Sequence, residues 1–129
     1  MNVKIIHAGD FIKNTPEGEV NLELSKIRLA KLVQALELTH EYNILVDWRN
    51  VVINYSMAHL FDLALEIFKD EALSKAKISL LVQPGNFNKG KFLQLCAQNR
   101  GIRLSAFTEY ENAMNWLTTE NEIDLQEIS

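Results

Sequence analysis

The sequence has few of the residues that cross-link a chain or anchor it in a membrane. Cys96 is the only cysteine among 129 residues, so an intrachain disulfide and a cysteine metal cluster are both excluded. No apolar run approaches the roughly 20 residues that a membrane helix needs. Residues 1–10 also lack the apolar segment of a signal peptide. We therefore expect a cytoplasmic protein that is not an integral membrane protein.

Positive charge is scarce as well. The formal net charge is −4, and neither lysine nor arginine follows Arg103. The acidic residues of that last part are Glu109, Glu111, Glu120, Glu122, Asp124 and Glu127. This charge balance argues against nucleic acid as a partner, because nucleic-acid-binding domains usually present a basic face. We expect one domain over residues 1–118 and a loose acidic tail over residues 119–129.

Motifs for catalysis and for metal binding are missing too. The three histidines, His7, His40 and His59, show no HxxxH or HxH spacing, which argues against a metal site. There is no GxSxG elbow and no Walker A loop, and the basic, glycine-bearing residues 84–91 match no phosphate-loop spacing. Cys96 falls at an inward helix position without a neighbour that would stabilise a thiolate. We predict no catalytic residue and no cofactor, and we expect the protein not to be an enzyme.

What the chain does contain is an alternation of strands and helices. Short strands are predicted at residues 3–7, 10–14, 44–46, 78–82 and 102–106, and helices at 22–38, 57–69, 88–99 and 108–117. The order is ββαβαβαβα, which predicts a single α/β domain with a mixed, mainly parallel sheet of about five strands and about four helices. Parallel neighbours need a crossover, whereas the first two strands are joined too tightly for one and should be antiparallel.

Helical periodicity assigns an inward face to each helix. The predicted inward residues are Leu29, Leu32, Val33 and Leu36; Met57, Leu60, Phe61, Ala64, Ile67 and Phe68; Phe92, Leu95 and Cys96; and Tyr110, Ala113, Met114 and Leu117. Lys26, Arg28 and Lys31 should face water. Alternatively, the face that bears Phe61 and Phe68 could pair two subunits in a homodimer.

The carboxyl ends of the strands are the place to look for a ligand, as in other open α/β sheets. Asp47, Trp48 and Arg49 follow one strand, and Asn86 and Lys89 follow the next. These residues, together with helix N-termini, could bind an anion. Alternatively, Asp47 and Arg49 fix a loop as mutual partners, and Trp48 fills the rim or the core.

Three stretches carry a resemblance to a known family. They are residues 10–18 (DFIKNTPEG) with 21–23 (NLE), residues 44–49 (ILVDWR), and residues 96–101 (CAQNRG) continuing through 106–108 (AFT) to 116–117 (WL). The chain thereby resembles the STAS-related, SpoIIAA-like family of small bacterial proteins, which is similar to the lipid-binding Sec14 fold. The resemblance covers the chain to about residue 118 and implies a SpoIIAA-like fold.

The resemblance also implies a candidate switch residue. STAS domains of sporulation and stress signalling are anti-sigma-factor antagonists, with a phosphorylatable serine at the start of the helix after the strand that here ends near Asp47. Ser56 occupies the matching position. The signalling members have an acidic residue two positions earlier and a glycine directly after, where this chain has Asn54 and Met57. Ser56 is also a plausible helix N-cap without any further role.

These observations leave three interpretations of function. The first is a non-enzymatic regulatory or protein-interaction module of the STAS type, with or without a phosphoserine at Ser56. The second is a small-ligand domain that binds a lipid or an anion at the carboxyl ends of the strands, in line with the Sec14 similarity. The third is an enzyme of a type that no motif in this sequence identifies.

Overall fold

The computed structural model describes residues 3–6, 11–39 and 42–118. The strands are β1 (Val3–Ile6), β2 (Phe11–Asn14), β3 (Gly18–Val20), β4 (Asn43–Asp47), β5 (Val51–Ile53), β6 (Lys77–Leu81) and β7 (Arg103–Phe107). The helices are α1 (Leu22–Thr39), α2 (Met57–Lys69), α3 (Glu71–Lys75), α4 (Phe87–Gln98) and α5 (110–118), and a 3-10 turn at Pro84–Asn86 precedes α4. The predicted acidic tail, 119–129, lies outside the described residues.

Five strands form the main sheet, in the order β1-β2-β4-β6-β7. β1 is antiparallel to β2, and every later pair is parallel. The prediction of a single α/β domain with a mixed, mainly parallel sheet is confirmed. Parallel neighbouring strands are joined by crossover connections, and an amphipathic helix in each crossover covers the apolar strands. Strands that alternate with such helices therefore form a mainly parallel sheet.

A second, smaller sheet was not predicted. Strands β3 and β5 pair in parallel, and the backbone N–H of Asn54 continues the pairing to the carbonyl oxygen of Val20. The short helix α3 between α2 and β6 was not predicted either. Strands β3 and β5 have only three residues each, which is too few for an alternating pattern to be recognised. The small sheet connects the start of α1 to the start of α2.

The helices cover both faces of the main sheet. Successive right-handed crossovers move in one direction across it, so α1, α2 and α4 lie on the same face. The large hydrophobic core forms there, with Leu36, Leu60 and Leu93 packed against the strands. A smaller core on the opposite face holds Ala113 and Leu117 of α5.

Several residues predicted to point inward are exposed instead. The exposed hydrophobic residues include Met57, Phe61 and Phe68 on α2, Leu95 on α4 and Tyr110 on α5. Leu95 is 55% exposed, because α4 turns Gly90, Leu93, Cys96 and Ala97 toward the sheet instead. The predicted inward residues of α1 are buried or packed against the core, as are Ala113, Met114 and Leu117 of α5, whereas on α2 and α4 part of the predicted apolar stripe faces solvent.

The predicted end of α4 is confirmed. Gly101 follows the last helical turn with φ of 78°, and the backbone N–H of Ile102 returns to the carbonyl oxygen of Ala97. A positive φ is inexpensive for glycine alone, which explains why the helix ends there.

Candidate functional site

Two of the residues predicted at the carboxyl edge are partners of each other. The guanidinium of Arg49 donates from Nε to Oδ1 of Asp47 at 3.0 Å and from Nη2 to Oδ2 at 2.9 Å. The backbone N–H of Arg49 adds a third bond to Oδ1 at 3.1 Å. Asp47 is buried, while Arg49 is partly exposed and packs near the ring of Tyr110. The pair therefore fixes the turn after β4.

The electrostatics of Asp47 reflect this pairing. Burial by itself would raise the pKa of the carboxyl group, but the side-chain and backbone hydrogen bonds from Arg49 lower it, as do the charges of Arg49 and Lys13. The net result is a pKa below the ordinary value for aspartate. Because Asp47 neutralises Arg49, this part of the edge offers little free positive charge to an anion.

Trp48 lies apart from that ion pair. Its ring is buried on the face of the sheet that carries α1 and α2, where it stacks on Tyr55 with centroids 5.8 Å apart and planes 17° from parallel. Asn86 lies in the 3-10 turn before α4, and the Lys89 ammonium is 3.5 Å from the carbonyl oxygen of Ile53. The predicted edge residues are thus divided between the two faces of the sheet.

The face that receives Trp48 contains a cavity of about 60 Å³. Of the 14 described residues that line it, only Ser25 and Arg28 are polar. The cavity follows the strands: Val46 and Leu80, which pair in the sheet, line it beside Trp48. Its other end is lined by residues from earlier positions of the same strands. The space is an apolar slot between the sheet and the helices, with its polar groups on α1.

Behind Ser25, a polar residue of the lining, lies the buried hydroxyl group of Tyr55. That hydroxyl donates to the carbonyl oxygen of Asn21 at 3.2 Å and shares a second, buried hydrogen bond with the hydroxyl of Ser25. Burial raises the pKa of Tyr55, and the hydrogen bond with Ser25 and the positive charge of Arg28 act in the opposite direction. The net shift is upward, so Tyr55 is protonated at neutral pH.

Arg28 is the charged group of the slot. Its Nη1 atom is buried and has no hydrogen-bond partner in the described part of the chain. Asn14 also has a buried, unpartnered nitrogen, Nδ2. Asn14 pairs in register with Val46, whose side chain lines the slot, so both unpartnered donors belong to the same face of the sheet. Native proteins rarely leave buried donors without a partner.

The face of α1 that lines the slot was predicted only in part. Arg28 was assigned to the wet face together with Lys26 and Lys31, and that assignment is wrong, because Arg28 lines the slot. Ser25 and Tyr55 were not singled out. Lysine and arginine stems can cover apolar surface while their charged ends lie elsewhere, so periodicity alone does not identify such a residue. The one available signal was the interruption of an apolar helix face by Ser25.

Ser56, the candidate switch, lies next to the slot but faces away from it. It is the exposed N-cap of α2, and its hydroxyl oxygen accepts a hydrogen bond from the backbone N–H of His59 at 3.1 Å. Nδ1 of His59 in turn accepts from the backbone N–H of Ser56 at 3.5 Å. The capping function is confirmed, and phosphorylation stays a prediction.

Comparison with models of protein families, with curated proteins and with solved structures finds no match to this chain. The SpoIIAA-like resemblance therefore remains a prediction. Among residues 3–6, 11–39 and 42–118, no helix is both long and apolar enough to cross a membrane. The same part of the chain contains no group of three or more histidine, cysteine, aspartate or glutamate side chains arranged to hold a metal ion.

Proposed function

We propose that this protein is a non-enzymatic binding domain for a small, largely apolar ligand, which occupies the slot between α1, α2 and the main sheet. The observation that carries the proposal is the combination of an apolar cavity of about 60 Å³ with the buried, unpartnered Nη1 atom of Arg28 in its lining. Protein interiors are normally packed without such spaces, and small-molecule sites are normally apolar with a few polar groups that orient the ligand.

The polar groups of the slot support binding better than catalysis. Ser25 is hydrogen-bonded to Tyr55, whose raised pKa keeps the phenol protonated at neutral pH, and the guanidinium of Arg28 has donors but no acceptor atom. The described residues that line the cavity include no carboxylate and no imidazole. A hydroxyl without a base beside it is a weak nucleophile. These groups can orient a ligand, which is the role that the proposal assigns to them.

The location supports the proposal too. Trp48 lines the slot directly after the carboxyl end of β4, and open α/β sheets bind ligands at the carboxyl ends of their strands. Of the edge residues predicted from the sequence, Trp48 is the one found among the described residues that line the slot. Trp48 should therefore report ligand binding through its fluorescence.

The test is a titration that follows the fluorescence of Trp48 in a Trp116→Phe background, because Trp116 lies on the opposite face beside Phe107. Linear compounds with a six-carbon chain are the ligands in this titration. Native mass spectrometry of gently purified protein shows any ligand that is already bound. Leu29→Phe should fill the slot and abolish binding. Leu22→Phe, on the same helix but outside the lining, is the matched control. Absence of binding by both methods would contradict the proposal.

A regulatory, STAS-type module is the second candidate, favoured by the position of Ser56. The residue is exposed at the N-terminus of a 13-residue helix, where a phosphate is electrostatically favourable. Phosphopeptide mapping of the untagged protein, together with co-purification using Ser56→Asp and Ser56→Ala, tests it. An unmodified Ser56 and an unchanged set of co-purifying proteins would remove this candidate.

A further inference from the structure

The slot has one hydrogen-bond donor without an acceptor, on Arg28, and a second such donor, on Asn14, lies on the same face of the sheet. Nη1 of Arg28 and Nδ2 of Asn14, which is itself 3% exposed, are both N–H donors, and both lack a partner among the described residues. The hydroxyl groups of Ser25 and Tyr55 are already engaged with each other and with the carbonyl oxygen of Asn21. What the site lacks is therefore an acceptor, and a ligand could supply it.

The charge of the cavity lining indicates which class of acceptor group the ligand carries. Arg28 is the only charged residue among the described residues that line the cavity, so this lining carries one positive charge. A buried guanidinium N–H without an acceptor is costly, and one anionic group would supply both the acceptor and a compensating charge. A carboxylate carries one negative charge and two acceptor oxygens, which suits a guanidinium well. A phosphate monoester would bring close to two negative charges at neutral pH, more than one arginine balances.

The shape of the slot defines the rest of the ligand. Ile44 and Ile78 pair at one end of it and Val46 and Leu80 at the other. Two residues along a strand correspond to about 7 Å. The volume of about 60 Å³ corresponds to roughly four water-sized spheres. A short, unbranched hydrocarbon chain fits this space better than a ring system or a long acyl chain.

We propose that the ligand is a short-chain aliphatic carboxylic acid, with its carboxylate on Nη1 of Arg28 and its hydrocarbon chain along Val46 and Ile44. This inference rests on the proposed function, since it names the chemical class of ligand for the same slot. Arg28 sets specificity for the acid, and the apolar lining sets the length of the chain.

The experiment compares hexanoate with 1-hexanol, which has the same chain without the charge, and with hexyl phosphate. Dissociation constants are measured by Trp48 fluorescence in the Trp116→Phe background. The three proteins compared carry the native Arg28, Arg28→Gln and Arg28→Lys. Lys31→Gln, which removes an exposed cation from the same helix, is the control. We expect Arg28→Gln to weaken hexanoate binding about 10- to 100-fold and to leave 1-hexanol unchanged. Arg28→Lys should restore part of the loss, and Lys31→Gln should have no effect.

The outcomes separate this inference from the proposed function. If 1-hexanol binds as tightly as hexanoate, or if Arg28→Gln weakens both equally, the slot binds apolar molecules without reading a carboxylate, and the inference is wrong while the proposed function stands. Preference for hexyl phosphate would overturn the carboxylate assignment. If none of the three compounds binds, the proposed function fails as well.

Discussion

Lys77, at the start of β6, donates a hydrogen bond from its ammonium group to the carbonyl oxygen of Leu117 at 3.0 Å, and a second one to that of Trp116. The lysine is 1% exposed, and its ammonium group also lies 4.7 Å from the centroid of the Trp116 ring. Ser79 lies two residues after Lys77 on β6, and its hydroxyl donates a hydrogen bond to the carbonyl oxygen of Ala113. The sheet thus holds α5 by polar contacts as well as by packing.

The first prediction concerns this attachment. Lys77→Met should lower the free energy of unfolding by about 2 kcal/mol, because the last carbonyl groups of α5 lose their charged donor. Urea denaturation followed by Trp116 fluorescence measures the change. Lys75→Met, which removes an exposed lysine paired with Glu71, should change stability little. Equal stability of Lys77→Met and wild type would mean that burying the ammonium group costs as much as its contacts contribute.

The second prediction concerns pH. The pKa of Asp47 is below its ordinary value in the folded protein, so the unfolded chain binds a proton there more readily. The contribution of Asp47 to stability is therefore present above roughly pH 4, the unfolded value, and is lost as the pH falls through the folded value. Asp47→Asn should cost about 1–2 kcal/mol at pH 7 and much less at pH 3.

Denaturation curves of wild type and Asp47→Asn at the two pH values provide the measurement. Asp62→Asn, which removes an exposed carboxylate from α2, is the control for the loss of one negative charge. A stability difference for Asp47→Asn that is the same at pH 3 and pH 7 would show that the ion pair with Arg49 does not stabilise the fold.

The third prediction concerns the start of α2. Ser56→Ala should cost about 1 kcal/mol, the usual effect of losing an N-cap side chain, and Ser56→Asp should retain most of the stability. Thermal or chemical denaturation measures both. Ser74→Ala is the comparison. The hydroxyl of Ser74 donates to the carbonyl oxygen of Glu71 within α3, so its loss removes a side-chain hydrogen bond that is not an N-cap. If Ser56→Ala is as stable as wild type, the hydrogen bond to His59 contributes nothing measurable.

The fourth prediction concerns the end of α4. Gly101→Ala should destabilise the protein by roughly 1 kcal/mol, because a side chain is strained at φ of 78° although a Cβ there would meet no atom within 4 Å. Gly85→Ala, at a position with equally open space and without a positive φ, should be tolerated. Melting temperatures of the two variants separate backbone strain from steric overlap, and indistinguishable values would contradict the strain argument.

Much of the fold was predictable because its signals are local. The apolar runs at 44–46, 78–82 and 102–106 became the parallel strands β4, β6 and β7, and Ser56 and Gly101 marked helix ends where they were expected. The candidate site was predicted only in part. Trp48 belongs to it, whereas Asp47 and Arg49 form an ion pair associated with the opposite face of the sheet.

The sequence by itself determined the alternation of strands and helices and the sites at which helices begin and end, because these depend on neighbouring residues and on backbone conformation. Only the tertiary structure decided how far each helix is rotated against the sheet, which exposed Leu95 and brought Arg28 to the slot. It also brought together Ser25 and Tyr55, which are 30 residues apart. Rotation and distant pairing depend on how all the elements pack at once, and no local pattern encodes that.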